Sequence, residues 1–307
     1  MTENRLFQSG FSGLSQARLF GQAVPIEAIE NRPTLENRAR ILCVASGKGG
    51  TGKSFFSATL SHQIAKEGKQ TLLLDADFGL SDAHLYLGIR PEKDISYLLN
   101  GHQNNDSVIA HGADNVDYIY SGSGLANLAA LEQMQWSKLL KALAYFEQRY
   151  SHIVIDLGAG IGPQVLPYLM CSDEIVLVTN PDSPALLDAF ATLKILSHKQ
   201  YQGAVYLVVN RTMFQKGEKA AHILKKGVEK LNPLFHFEYV GSISESRGLS
   251  VALKQKKSLL DLYPYDPGSL DLKKIVKHLL EKETDMASTT RKEMSYFLRV
   301  KKYGDKS

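Results

Sequence analysis

The segment Gly47-Lys48-Gly49-Gly50-Thr51-Gly52-Lys53-Ser54 follows the apolar run Ile41-Leu42-Cys43-Val44-Ala45 and fits the phosphate-loop spacing G-x-x-x-x-G-K-[ST]. Glycines let successive backbone N–H groups curl around phosphate oxygens, and the helix that follows turns its positive end toward the same anion. In that chemistry Lys53 reaches the β- and γ-phosphates of a nucleotide and Ser54 ligates Mg²⁺. The loop also carries Lys48, a lysine the bare spacing does not require. Two further apolar runs, Thr71 to Leu74 and His152 to Ile155, end in acids, at Asp75-Ala76-Asp77 and at Asp156. A single aspartate in such a place is equally well read as a helix cap. Two of them beside a phosphate loop point to metal and water positioning.

The elements that must hold these groups are legible as a pattern. Apolar strand candidates at 41–45, 71–75, 117–120, 152–156, 174–179, 204–210 and 238–241 alternate with helical stretches, including Ser54 to Lys66 and Asn127 to Gln148. Such alternation predicts an α/β fold, a mostly parallel sheet flanked by helices on both faces. In open sheets of this kind ligands bind outside the carboxyl ends of the strands, where the loop and the acids converge. Leu128, Leu131, Met134, Leu139, Leu143 and Phe146 form the buried stripe expected of the second helix, with Trp136 at the edge of that contact.

The pattern K-G-G-x-G-K-[ST], led by Lys48, is the deviant Walker A signature. From about residue 40 to 280 the chain resembles the MinD/ParA family of P-loop ATPases. The resemblance implies a SIMIBI-type P-loop NTPase fold, ATP and Mg²⁺ as ligands, hydrolysis to ADP, and an ATP-dependent homodimer. In that homodimer Lys48 crosses to the partner's nucleotide like an arginine finger supplied in trans. It further implies that Asp77 orients the attacking water, that Asp75 lies near Mg²⁺, and that Asp156 is the Walker B acid. Asn210, in Val208-Val209-Asn210-Arg211, matches the residue that reads the adenine edge, with Arg211 beside it.

Three segments are most similar to the flagellar-number branch of the family, called FlhG, FleN or YlxH. They are Asp75 to Leu80 with His84 to Gly88, Val178 to Pro184 with Asp188 to Ala191, and Ala252 to Pro264. That likeness implies control of flagellar number or placement. The implied partners are a flagellar signal-recognition-type GTPase (FlhF-like), a flagellar transcription regulator or switch proteins. Ser15-Gln16-Ala17-Arg18-Leu19 keeps the Gln-Ala pair of the branch's activating motif and lacks its acid, so a plain leader is the competing reading. Residues 89–101 match a region near the dimer and partner surfaces, against a solvated loop and helix. Asp188 matches a partner-binding position, against stabilisation of a helix first turn.

Composition narrows the field. The chain has 307 residues, 44% of them hydrophobic, and a net charge of +4. It reads as an N-terminal extension over 1–38 with a short helix near Leu14 to Phe20, an ATPase domain over 39–283, and a basic tail over 284–307. No apolar run of about 18 residues or secretory leader is evident, and Cys43 and Cys171 lie in apolar contexts that suit buried thiols. These features predict a cytoplasmic protein. In the tail, Met294, Phe297 and Leu298 stand at i, i+3 and i+4 among Arg291, Lys292, Arg299, Lys301 and Lys302. This is the pattern of an interfacial helix that would attach an ATP-bound dimer to an anionic membrane, with a helix docked on the core as the alternative. A ParA-like ATPase positioning DNA or protein cargo is a rival reading, weakened by the balanced charge of the globular part, which argues against nucleic acid. A MinD-like division-site regulator is another. The absence of a Cys-x-x-Cys pair disfavours a cluster carrier, and the few tyrosines of the tail disfavour a tyrosine kinase.

Overall fold

The computed structural model of the chain describes residues 38–77, 82–100, 104–112, 116–122, 133–213, 216–286 and 295–304. The predicted N-terminal helix and its Gln16-Ala17 pair lie outside these residues, as do Phe78-Gly79-Leu80 and the first turn and a half expected of the helix from Asn127. The chain divides into Met1–Thr34 and Leu35–Ser307, and every element below belongs to the second unit.

Runs of Val, Ile and Leu without polar alternation suit strands buried on both faces. The strands are β1 (Arg40–Ala45), β2 (Thr71–Ala76), β3 (Ile109–His111), β4 (Val116–Ile119), β5 (His152–Leu157), β6 (Glu174–Thr179), β7 (Ala204–Thr212) and β8 (Phe237–Ser244). They form one sheet in the order β3-β4-β2-β5-β1-β6-β7-β8, in which only β3 runs antiparallel to its neighbour. Every residue of β1, β2, β5 and β6 is buried. β3 was not expected, because three residues at a sheet edge, two half-buried and one exposed, show no period.

Ten α-helices are described: α1 (Lys53–Lys66), α2 (Ala83–Leu87), α3 (Gln133–Phe146), α4 (Leu166–Cys171), α5 (Ser183–His198), α6 (Lys216–Leu231), α7 (Leu249–Gln255), α8 (Leu259–Leu262), α9 (Pro267–Met286) and α10 (Tyr296–Gly304). Successive strand side chains point to opposite faces, so each strand feeds two cores. Ile41 and Cys43 of β1 join Leu143, Leu169, Leu193, Leu224 and Phe297 from α3, α4, α5, α6 and α10. Leu42 and Val44 join Phe56, Leu60, Ala252, Leu260 and Ile275 from α1, α7, α8 and α9. Trp136 is half-buried at the rim of the first core, edge-on to Tyr168 with ring centroids 6.2 Å apart.

The tail corrects the sequence reading. Of the apolar residues offered to a membrane, Phe297 is 0% exposed and Leu298 half-buried; Phe297 packs with Tyr296 and Val300, 2% and 0% exposed, in the core shared with α3 and α4. Glu147, at the end of α3, caps α10 by accepting from the Ser295 hydroxyl, the Tyr296 N–H at 3.1 Å and the Phe297 N–H at 2.9 Å. A carboxylate at a helix N-terminus satisfies orphan amides and opposes the positive end of the dipole. Arg299 reaches both oxygens of Asp173, at 3.3 and 3.2 Å. Tyr296 donates to the Tyr168 carbonyl at 2.9 Å and lies 3.1 Å from Cys43 Sγ, whose thiol burial pushes up to about 12. Met294 lies outside the described residues. Among the described residues no helix is long and apolar enough to cross a membrane.

Candidate functional site

The chain leaves β1 at Ala45 and turns into α1 through the glycine loop. Two glycines there are obligatory. A Cβ on Gly47 would lie 2.4 Å from the backbone of Asp188 on α5, and Gly52 has φ 89° with the Asn210 side-chain nitrogen 2.2 Å from where its Cβ would be. Gly52 is the N-cap of α1, and neither a side-chain cap nor a first-turn acid occupies the N-terminal amides of that helix. Space above Gly49 and Gly50 is open. An uncapped helix start behind such a loop is an anion site.

The acids arrive by strand register. Asp75 on β2 is the direct partner of Asp156 on β5, and Val44 on β1 pairs with Asp156 from the other side. Lys53 Nζ lies 2.9 Å from Asp156 Oδ1 and 3.9 Å from Asp77 Oδ2, and Ser57 of α1 donates to Asp156 Oδ1 at 2.7 Å. Asp75 accepts from the Asp77 N–H at 3.1 Å and from the Tyr118 hydroxyl at 2.8 Å. Burial, and then the charge of Asp156, raise the Asp75 carboxyl to about 7. Thus Lys53, Asp75, Asp77 and Asp156 form one cluster at the carboxyl edge of the sheet. Ser54 is half-buried in the first turn of α1.

The other predicted residues divide. Lys48 is not in the acid cluster: its Nζ lies 3.2 Å from Asp182 Oδ1, an ion pair with side chains 34% and 47% exposed. Asp182 is the N-cap of α5, accepting from the Ala185 N–H at 3.0 Å, and that bond together with Lys48 holds its carboxyl below the usual range. The first-turn role considered for Asp188 is therefore corrected; Asp182 caps α5, and Asp188 stands a turn further in, its backbone against Gly47. Asn210, at the end of β7, donates to the Thr51 carbonyl of the loop at 2.8 Å and accepts from the Arg211 N–H at 2.8 Å. Arg211 adopts φ 53°, a left-handed conformation rare outside glycine. Tyr118, Ser57 and Asp182 were not singled out from the sequence. Tyr118 and Ser57 meet their partners only through folding, so no local spacing marks them, whereas Asp182 before Ser183-Pro184 carries the local signal of a helix cap.

The donor set fits a nucleotide with Mg²⁺. Asp156 Oδ2 and Thr51 Oγ1 are buried without a hydrogen-bond partner, polar atoms that the fold leaves to something else. Among the described residues no group of three or more His, Cys, Asp or Glu could hold a metal alone. That suits Mg²⁺, which takes most of its ligands from phosphate and water.

A glycine loop turning from an inner parallel strand into a helix, with acids at neighbouring strand ends, defines a P-loop nucleoside triphosphatase of the parallel α/β class. The ParA family profile, described as NUBPL iron-transfer P-loop NTPase, matches residues 37–280. The flagellum site-determining protein YlxH of Helicobacter pylori is 30% identical over 278 residues, covering 87% of this chain and 92% of the relative. The antiactivator FleN of Pseudomonas aeruginosa is 26% identical, covering 78% and 85%. Among solved structures the Pyrococcus furiosus cell division ATPase MinD shares the fold with a TM-score of 0.66 at 21% identity, covering 80% of this chain and 99% of that one. The chain belongs to the MinD/ParA family of P-loop ATPases, which take ATP with Mg²⁺.

The raised Asp75 carboxyl gives a prediction. Its folded-state value lies above the unfolded one, so the folded protein binds the proton more tightly. The stability of the nucleotide-free protein then falls as pH rises from about 4 through about 7 and levels off beyond. Asp75→Asn should raise the melting temperature at pH 8 by roughly 2–5 °C and progressively less toward pH 4. A gain independent of pH in thermal melts would rule out the ionised carboxylate as its source.

Proposed function

We propose that the chain is an ATP-dependent dimerising switch that hydrolyses ATP and regulates flagellar number or placement. One observation carries the reading: Lys53 is spent on the subunit's own acids, whereas Lys48 stands outside them on an exposed pair that can open at little cost. A lysine so placed is available to a second subunit. In the assigned roles, the loop from Gly47 to Ser54 and Lys53 hold the phosphates, and Ser54, Asp75 and Asp156 hold Mg²⁺, which neutralises phosphate charge. Asp77 would position water, and Asn210 would read the adenine edge with Arg211 beside it. The flagellar assignment is supported by the likeness to the flagellum site-determining protein YlxH. It brings with it, as proposed partners, an FlhF-like GTPase met by residues 1–38, a flagellar transcription regulator or switch proteins.

Peripheral membrane attachment through the C-terminal helix belongs to this proposal only if α10 leaves its seat, because Tyr296, Phe297 and Val300 are buried.

The test is the oligomeric state of Asp77→Ala, the variant that holds ATP uncleaved. ATP should convert it from monomer to dimer in light scattering, while ADP should not. An oligomeric state indifferent to nucleotide sinks the proposal.

A second reading, a ParA-like ATPase working on DNA, is favoured by the outer face of α6. Lys216, Lys219, Lys226 and Lys230 are exposed there, opposite the buried Ala221, Leu224 and Val228. Retention on duplex DNA that falls steeply with salt and is lost in Lys219→Glu/Lys226→Glu would establish it.

A further inference from the structure

The acid cluster has a contributor that no motif contains. Tyr118 lies on β4, between the β3 edge and β2, 43 positions along the chain from Asp75. Its register partner on β2 is Leu73, and because strand side chains alternate, Tyr118 shares a face of the sheet with Leu73 and Asp75. That is the face covered by α1, the helix that brings Lys53 and Ser57 to Asp156. From there the phenol leans along the strand and donates to Asp75 Oδ2 at 2.8 Å.

Both residues are fully buried, so no water competes for the bond. The carboxylate is held at two points: Oδ1 by the Asp77 N–H and Oδ2 by the Tyr118 hydroxyl. Two fixed donors leave a short, buried side chain one orientation. The Tyr118 ring is itself braced, with His84 and Tyr120 centroids 6.1 and 6.4 Å away. One residue past Tyr120, Ser121 donates to the backbone carbonyl of Asp77 at 3.3 Å. Strand β4 and the two residues that follow it therefore touch both acids of Asp75-Ala76-Asp77, through Tyr118 and Ser121.

The geometry points to Tyr118 as a positioning residue of the ATPase site, whose hydroxyl fixes the Asp75 carboxylate in the orientation that Mg²⁺ with nucleotide requires. This inference rests on the nucleotide-site reading above. Tyr118 acts through Asp75 and does not touch substrate. A hydrogen-bonded partner behind an acid that serves a metal commonly matters about as much as the acid's own placement, and its loss costs roughly 10- to 100-fold in metal affinity or activity.

The variant is Tyr118→Phe, which removes one oxygen and keeps the ring packing. Three quantities are measured on the full chain: kcat and the KM for ATP at saturating Mg²⁺, the half-saturating Mg²⁺ concentration at fixed ATP, and Mn²⁺ binding in the presence of ADP by electron paramagnetic resonance. We expect kcat to fall roughly tenfold, half-saturation and the Mn²⁺ dissociation constant to rise at least roughly threefold, and the KM for ATP to stay within about twofold. Unchanged metal dependence, or a loss of activity that follows only a lowered melting temperature, overturns the inference and leaves Tyr118 a core residue. Should the variant melt near the assay temperature, Mn²⁺ binding at 10 °C decides alone. If the intact chain shows no Mg²⁺-dependent hydrolysis, the nucleotide-site reading fails instead, and the two failures are distinct.

Discussion

Replacing Lys48 with alanine is expected to cut ATP turnover by about 10³-fold or more while leaving nucleotide binding and the folded monomer intact. The size of the effect follows from what a cation does opposite a transferring phosphoryl group in a site closed to water, where charge stabilisation is strongest. The selectivity follows from where the side chain sits. Its pair with Asp182 is exposed on both sides, and exposed pairs contribute on the order of 0–1 kcal/mol, so the melting temperature should move by no more than about 2 °C. Lys53→Ala should behave differently. Its ammonium lies against the fully buried Asp156, beside Asp77 and near Asp75, so its loss leaves carboxylates without a counter-charge and removes the phosphate contact as well. Phosphate release, ATP binding and thermal melts on the two variants separate the roles. Turnover of Lys48→Ala within about threefold of the intact protein would refute a lysine acting on a partner's nucleotide.

The second large effect is expected at the opposite end of the chain. Phe297→Ala should destabilise the protein by about 3–5 kcal/mol, the usual cost of emptying a buried phenylalanine site. Ending the chain at Met286 should cost more. It removes Tyr296, Phe297 and Val300 together and leaves Glu147 buried without the three donors it now accepts from. Thermal melts should show a fall of roughly 10 °C or more for the truncated chain, with exposure of apolar surface. A freely hanging membrane anchor makes the contrary forecast: loss of liposome binding at an unchanged melting temperature. Sedimentation with anionic vesicles alongside the melts reads both outcomes on one sample.

These two results concern residues that the sequence treats very differently. Lys48 is conspicuous because the phosphate-loop spacing does not need it, and its neighbours fix its place within a few residues. The seat of α10 is invisible in the same string of letters. Apolar residues three and four apart among lysines and arginines describe a helix with one apolar side, and that pattern is the same whether the side meets lipid or a protein core. What decided between them was Glu147, the Tyr168 carbonyl and Asp173, all more than 120 positions away along the chain. Asp182 and Asp188 illustrate a smaller version of the same limit. Both are acids close to the start of one helix, and the extended backbone at Asp182, φ −77° and ψ 149°, with its bond from the Ala185 N–H, shows which of them is the cap.

The succession of apolar strand segments other than β3, the loop that opens α1 and the acids near the carboxyl ends of β2 and β5 were determined by the sequence alone, because each depends on contiguous residues: an apolar run, a glycine-rich spacing, an acid where an apolar run closes. The tertiary structure decided which of those ends meet. Asp75 faces Asp156 because β2 pairs with β5, Tyr118 reaches Asp75 because β4 lies on the other side of β2, and the basic end of the chain folds back into the core beneath β1. Such juxtapositions are set by pairing and packing between segments far apart in the chain, where the stabilisation comes from burial shared among several elements, and no short window of residues carries that information.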